Sequence, residues 1–275
     1  LEKGQMDLTS GKIKPGMIIR KINNKEINRG QDSFQILEDL SGKRVMLTIY
    51  DPSAKKEWEE YVKPTTYGNQ NGLLYNRWVK QRQEMVEKLS NGKIGYVHVK
   101  SMDSPSFRKV YSEILGKYRN KEAIIVDTRY NGGGWLHEDL LHLLSGKKYA
   151  EFVPRGQFIG EDPFTQWNKP SAVLVSESNY SNAHGFPWAY KELGLGKVIG
   201  MPVPGTMTAV WWETLMDPSL VFGIPQVGMK DNQGRILENM QLEPDIKVTN
   251  DPASAMKGRD LQLEAAVESL MKEIK

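Results

Sequence analysis

The sequence contains no cysteine, no apolar run long enough to cross a bilayer and no block of like charge. Without cysteine the chain has no disulfide, no thiolate metal ligand and no cysteine nucleophile. A transmembrane helix needs about 18 or more consecutive apolar residues. The net charge of +3 is spread along the chain, so neither a membrane span nor a nucleic-acid partner is expected.

The chain opens with Leu1-Glu2-Lys3 rather than with methionine, and no signal peptide is visible. We therefore expect an internal piece of a longer protein, from which targeting information is missing. The lack of cysteine is consistent with an oxidising compartment. It favours a bacterial cell envelope or periplasm over the cytoplasm.

Residues 1–63 are predicted to form a small, mostly β unit with strands at 17–22 and 44–50 and a short helix at 33–40. The segment KIKPGMIIRKINNKEI resembles the turn–strand–turn pattern of PDZ domains. Met17 stands where that pattern usually has aspartate, and Asn24 where it has glycine. The first PDZ strand and the carboxylate-binding loop would lie before Leu1. The prediction is an N-terminally truncated, β-rich PDZ-like domain.

Residues 64–275 are predicted to form an α/β domain. After a linker at 64–72 and a helix at 73–89, strands alternate with helices, which indicates a mostly parallel sheet flanked by helices. The predicted strands are 94–99, 123–126, 172–175 and 198–199; the helices are 107–118, 136–144, 184–193 and 261–274. The aromatic-rich loop 151–169 is expected to form a cleft wall or a subunit contact.

A short buried strand runs directly into three glycines in EAIIVDTRYNGGGW, residues 122–135. Glycines between a strand and a helix leave backbone N–H groups unshielded, which suits a phosphate or a developing oxyanion. Neither a P-loop nor a dinucleotide fingerprint is present, so phosphate is the weaker alternative. Asp127 and Arg129 are expected to form a structural ion pair that holds the turn.

Ser181 follows the strand 172–175 at the predicted start of a helix. A serine there can be a helix cap or a nucleophile, and its position alone leaves both open. The carboxyl ends of parallel strands open on one side of a sheet. Ser181 and the triple glycine are therefore expected to face each other as nucleophile and oxyanion hole.

Three ordered motifs, VDTRYNGGG, VLVSESNYSNAHGFPWAYKELGLGKVIG and ILENMQLEPDIKVTNDP, resemble the tricorn-type branch of the C-terminal processing peptidases. The resemblance covers residues 73–275 and implies a ClpP/crotonase-like serine peptidase domain that follows a PDZ unit. It implies Ser181 as nucleophile, the amides of Gly133 and Asn182 as oxyanion hole, and Glu238 as the supporting glutamate. Glu243 competes for that last role, but Pro244 beside it indicates a turn.

The same resemblance implies a peptide or unfolded-protein substrate, no cofactor, no metal, and a homo-oligomer. The processing-peptidase branch uses a lysine base, but this sequence has Gly205-Thr206 at that position, and Lys197 and Lys230 fall elsewhere. A Ser-Lys mechanism is therefore not expected.

A serine nucleophile needs a base, and the four histidines are the candidates. His98 is expected in a strand and His142 on a helix, both structural. His137 follows the glycine turn closely, where lining the site, starting a helix and facing the substrate are all open to it. His184 shares a helix face with Ser181, but a base one turn along the same helix seldom meets the hydroxyl in line. Since the resemblance puts the catalytic histidine in a segment before the PDZ unit, we expect this chain alone to be inactive or only weakly active.

Two other functions fit parts of the same pattern. A non-catalytic peptide-binding protein would use the pocket and the PDZ surface for recognition. A crotonase-like acyl-thioester enzyme would use the glycine-turn amides without needing Ser181.

Overall fold

The computed structural model describes residues 2–9 and 12–274. Its contacts divide the chain into two compact units, Leu1–Gln81 and Arg82–Lys275. The division falls inside one long helix, whereas the sequence-based boundary at residues 63 and 64 precedes that helix. The earlier boundary stays a prediction.

The first unit contains a four-stranded antiparallel sheet with strand order β2-β1-β3-β4. Its elements are β1 (Ile18–Ile22), β2 (Lys25–Glu26), α1 (Ser33–Leu37), β3 (Val45–Asp51) and β4 (Lys56–Val62). Alternate apolar residues of these strands form its core, namely Ile22, Val45, Leu47, Ile49 and Val62. The predicted small, mostly β unit is present.

Helix α2 covers Tyr67–Leu89, so the prediction of a linker at 64–72 is wrong for its last six residues. The cause is a local cap: the Thr66 hydroxyl accepts a hydrogen bond from the Asn69 amide at 3.2 Å. Such a cap offsets the weak helix propensity of the Asn and Gly residues in the first turns.

The second unit is built on a parallel five-stranded sheet with order β13-β10-β9-β6-β5. The strands are β5 (Ile94–His98), β6 (Ala123–Asp127), β9 (Ser171–Val175), β10 (Lys197–Gly200) and β13 (Ile246–Lys247). All residues of β5, β6 and β9 are buried, as expected for strands covered on both faces. The predicted mostly parallel sheet flanked by helices is confirmed.

Helices cover both faces of this sheet. Alternate strand residues such as Val126 and Val173 share one core with side chains of α3 (Ser104–Ser112), α4 (His137–Leu144) and α5 (Asn182–Glu192). Helix α7 (Leu261–Glu273) contacts β6, β9 and β10. Parallel strands therefore deliver their carboxyl ends to one edge of a well-packed layer.

The remaining elements are short. They comprise a π-helical turn (Glu113–Lys117), the hairpin β7 (Ala150–Phe152) and β8 (Gly160–Asp162) with a 3₁₀ turn (Pro154–Gly156) between its strands, the ribbon β11 (Ala209–Thr214) and β12 (Val221–Val227), and α6 (Pro252–Met256). The segment 151–169, predicted as a loop, thus contains a small hairpin. No helix in the described ranges is both long and apolar enough to span a bilayer.

Candidate active site

Ser181 lies in a strained turn between β9 and α5. Its backbone angles are φ 54° and ψ −123°, and its hydroxyl makes no capping hydrogen bond. A positive φ in a residue other than glycine costs on the order of 1–3 kcal/mol and tends to persist at functional sites. The helix-cap interpretation of Ser181 is therefore wrong, and the strained turn is the kind that presents a nucleophile.

The glycine turn lies against Ser181, as the sequence predicts. Gly133 has φ +94°, and a Cβ added to it would lie 2.7 Å from the Ser181 Cβ and 3.2 Å from the Asn182 backbone nitrogen. No side chain fits at that distance. The requirement for glycine at this position is therefore steric as well as conformational.

The Gly133 amide already has an acceptor. It donates to Asn131 Oδ1 at 2.8 Å, while Asn131 Nδ2 donates to the Val99 carbonyl at 2.8 Å. The Tyr180 amide donates to the Asn131 carbonyl at 3.1 Å, which ties the glycine turn to the serine loop. Gly133 can stabilise an oxyanion only if the oxyanion competes with Asn131 for its N–H.

Asn182 follows Ser181 as the first residue of α5, and within residues 2–9 and 12–274 its backbone N–H has no acceptor. Its side chain is 5% exposed and reaches across to the start of α4. There Oδ1 accepts from the Leu136 amide at 2.8 Å, and Nδ2 lies 2.8 Å from His137 Nδ1. The free amide, next to the serine at a helix N-terminus, suits a developing negative charge.

Glu238 is connected to Ser181 through the loop that contains Thr206, Met207 and Thr208. Its Oε2 accepts from the amides of Met207 and Thr208, both at 2.8 Å. Thr206, immediately before them, accepts a hydrogen bond from the Ser181 amide on its hydroxyl oxygen at 2.8 Å. Glu238 therefore braces the loop that fixes the backbone of Ser181.

His184 is fully buried, and neither ring nitrogen has a hydrogen-bond partner among the described residues. Burial lowers the pKa of His184 to about 4, against the opposing charge of Glu238. The ring thus stays neutral at ordinary pH, and it makes no hydrogen bond to Ser181. This geometry does not support His184 as the base.

The other histidines differ in their surroundings. His98 is buried in β5 with Nε2 3.0 Å from the Arg129 carbonyl, and burial lowers its pKa. His142 is exposed on α4. The His137 ring is hydrogen-bonded to a residue next to Ser181, namely Asn182.

A buried ion-pair network holds the start of the glycine turn. Arg129, 1% exposed, contacts Asp127 at 2.7 Å and Asp260 at 2.9 Å. It also donates to Gln262 Oε1 at 3.0 Å. The predicted Asp127–Arg129 pair is confirmed, and it extends to the start of α7. Burial raises the pKa values of both aspartates, but the positive charge and hydrogen bonds of Arg129 and the other hydrogen bonds outweigh it and keep these pKa values below their usual range.

Sequence reasoning missed Asn131, Thr206 and the side-chain role of Asn182. Asn131 directly precedes the glycines, so its place in the motif was the available signal. For Thr206 the sequence indicates only that no lysine stands at its position. In the described ranges no group of three or more His, Asp or Glu side chains is arranged to hold a metal ion.

Several curated proteins are similar in sequence to this chain over most of its length. The tricorn protease of Thermoplasma acidophilum is 23% identical over 94% of this chain and 24% of its own length. Tricorn protease homolog 1 of Streptomyces coelicolor is 27% identical over 84% of this chain and 22% of its own length. The chain therefore spans about a quarter of the length of these relatives.

The crystal structure of the tricorn protease has the same fold, with a TM-score of 0.83 at 22% identity over 96% of this chain and 26% of that one. The family model described as "Peptidase family S41" matches residues 93–248, which include the glycine turn, Ser181 and Glu238. The match covers more than half of the sequence, and the chain belongs to peptidase family S41.

Proposed function

We propose that this chain is the nucleophile-bearing part of a serine peptidase that hydrolyses peptide bonds in peptides or unfolded proteins. The observation that carries the proposal is the strained Ser181 turn packed against Gly133, because a structural serine has no need of either feature. Membership of the family supports the same reaction class.

In the proposed reaction, Ser181 Oγ attacks the carbonyl carbon while a base takes its proton. The amide of Asn182 and, after exchange with Asn131, the amide of Gly133 stabilise the oxyanion. The intermediate collapses to an acyl-enzyme as the base returns the proton to the departing amine. Water then attacks the ester carbonyl while the base takes its proton, and the base returns that proton to Ser181 Oγ as the carboxylic acid product leaves.

Glu238 acts through the loop 206–208 in this proposal. Its carboxylate accepts hydrogen bonds from two backbone amides, and the preceding residue, Thr206, accepts one from the Ser181 amide. A charged acceptor makes stronger hydrogen bonds than a neutral one. Glu238 therefore positions the nucleophile rather than taking its proton.

The base is proposed to be a histidine from the part of the relatives' length that this chain does not span. The His184 ring is buried without a hydrogen-bond partner among the described residues, and His137 Nδ1 already contacts Asn182.

We also propose a ClpP/crotonase-like classification of the second unit, a PDZ-like classification of the first unit, an envelope location and a homo-oligomeric state. The resemblance in the sequence supports both classifications and the homo-oligomeric state, and the lack of cysteine supports the envelope location.

The test is labelling of the full-length protein, rather than of this chain alone, with a fluorophosphonate that reacts with activated serines; Ser181→Ala is compared with Ser178→Ala, a matched control on the same loop. We expect label on the wild type and on Ser178→Ala, and none on Ser181→Ala. Label that persists in Ser181→Ala would refute the nucleophile assignment. No label on any of the three would favour a peptide-binding protein or a thioester enzyme.

A further inference from the structure

The side chain of Asn182 links the residue after the nucleophile to the start of α4. Its Oδ1 accepts from the Leu136 amide and its Nδ2 contacts His137 Nδ1, both at 2.8 Å. We propose that His137 is a positioning residue, whose neutral ring holds the Asn182 carboxamide and thereby orients the oxyanion-binding amide next to Ser181. This inference rests on the proposed peptidase function.

The protonation state of His137 follows from the contacts. A backbone N–H can bond only to an acceptor, so the Asn182 oxygen must face Leu136 and the amino group must face the ring. Because that amino group donates, His137 Nδ1 must be unprotonated, and the neutral ring carries its proton on Nε2. A doubly protonated ring would place two donors against each other and break the link.

The surroundings favour the neutral ring. His137 is half-buried, and desolvation lowers its pKa, although Glu138 and Asp139 on the same helix act in the opposite direction. On the α5 side the ring contacts the Asn182 side chain, which is uncharged. Among the described residues no charged group of α3 contributes to the shift in the His137 pKa. A lowered pKa means that the link is intact above the ordinary histidine value of about 6.5 and is lost as the pH falls through the lower folded value.

Breaking the link affects the amide of Asn182 because side chain and amide belong to one residue at the first turn of α5. This amide is a proposed oxyanion donor, and removing such a donor slows acyl transfer by about 100- to 1,000-fold. Loss of orientation without loss of the donor should have a smaller effect, on the order of 10-fold. The effect should fall on the acylation rate and not on the affinity for the probe.

The experiment compares His137→Ala, His137→Asn and His142→Asn in the intact protein. An asparagine oxygen can stand where His137 Nδ1 stands, whereas alanine offers no acceptor; His142 is exposed on the same helix and serves as the control. Fluorophosphonate labelling rates are measured from pH 5 to 9 with saturation by the probe. The Asn182 amide is followed by NMR over the same range.

We expect His137→Ala to label about 10-fold more slowly at unchanged half-saturation, and the two asparagine variants to label at the wild-type rate. The wild-type Asn182 amide should shift with the titration of His137, and in His137→Asn that shift should disappear. Equal rates in His137→Ala and wild type, or an Asn182 resonance indifferent to His137, would overturn the positioning role alone. Label on Ser181→Ala would instead overturn the proposed function and this role with it.

Discussion

Replacing Arg129 by methionine should destabilise the second unit severely while leaving its apolar core intact. The change removes the cation that contacts both Asp127 and Asp260, whose carboxylates are 0% and 1% exposed, and leaves Asp260 with Arg82 at 3.4 Å. Removing one partner from a buried ion pair costs about 3–5 kcal/mol, because the remaining charge is left unpaired. Since whole domains are stable by only about 5–15 kcal/mol, the loss is a large fraction of the total.

The measurement is urea unfolding of the intact chain followed by circular dichroism. With a slope of about 2 kcal/mol per molar urea, a loss of 3–5 kcal/mol moves the midpoint down by roughly 1.5–2.5 M. Arg108→Met is the matched control, because Arg108 is exposed on α3 and should change stability by less than about 0.5 kcal/mol.

Two further comparisons separate electrostatics from lost packing. Arg129→Met combined with Asp127→Asn and Asp260→Asn should recover part of the stability, because the two buried negative charges are removed; Arg82, which contacts Asp260 at 3.4 Å, is itself 21% exposed to solvent. In the wild type both aspartate pKa values are lowered, so this stabilisation is complete above the ordinary value near 4 and is lost as the pH falls through the lower folded values. In Arg129→Met the aspartates should instead become easier to protonate, and the deficit should shrink at low pH. A loss below 1 kcal/mol, or one unchanged by the asparagine substitutions and by pH, would refute this reasoning.

Three other changes test the site itself. Ser181→Gly should raise the unfolding free energy by about 1 kcal/mol by relieving the positive φ, while Ser181→Ala should not; equal stabilities of the two variants in urea would argue against strain. Gly133→Ala should lower the fluorophosphonate labelling rate by 10-fold or more, because its Cβ would lie 2.7 Å from the Ser181 Cβ. Gly116→Ala, which has open space around it, is the control and should label at the wild-type rate. Similar rates in the two variants would contradict the close approach of Gly133 to Ser181. His184→Leu should leave labelling unchanged and raise the melting temperature, because it removes two buried nitrogens without partners; loss of labelling would identify His184 as the base.

The periodic parts of the fold could be predicted from the sequence because their signals are local. Ala123–Asp127 and Ser171–Val175 are short apolar runs bounded by turn residues, and both are buried parallel strands. The start of α2 could not be predicted, since it depends on the Thr66 cap outweighing residues of weak helix propensity. Hairpin β7–β8 could not be predicted either, because its strands are only three residues long and too short to show a periodic pattern.

In the candidate site, the packing that follows from the order of the strands could be predicted from the sequence, but the individual side-chain contacts could not. The approach of Gly133 to Ser181 followed from strand ends meeting at one edge of a parallel sheet. The use of the Gly133 amide by Asn131, and the link between Thr206 and Ser181, are contacts of side chains whose directions no periodicity encodes. Ser181 resembled a helix cap in sequence because a nucleophile and a cap occupy the same place at a helix start.

The contacts of Arg129 join residues that are far apart in the sequence, which affects the order in which they become available during synthesis. Its partners Asp260 and Gln262 lie 131 and 133 residues later, beyond Ser181 and the whole sheet. During synthesis the glycine turn and Ser181 are therefore made well before the partners of Arg129. The buried ion-pair network at the start of the glycine turn is complete only once α7 has been synthesised and has packed against the sheet.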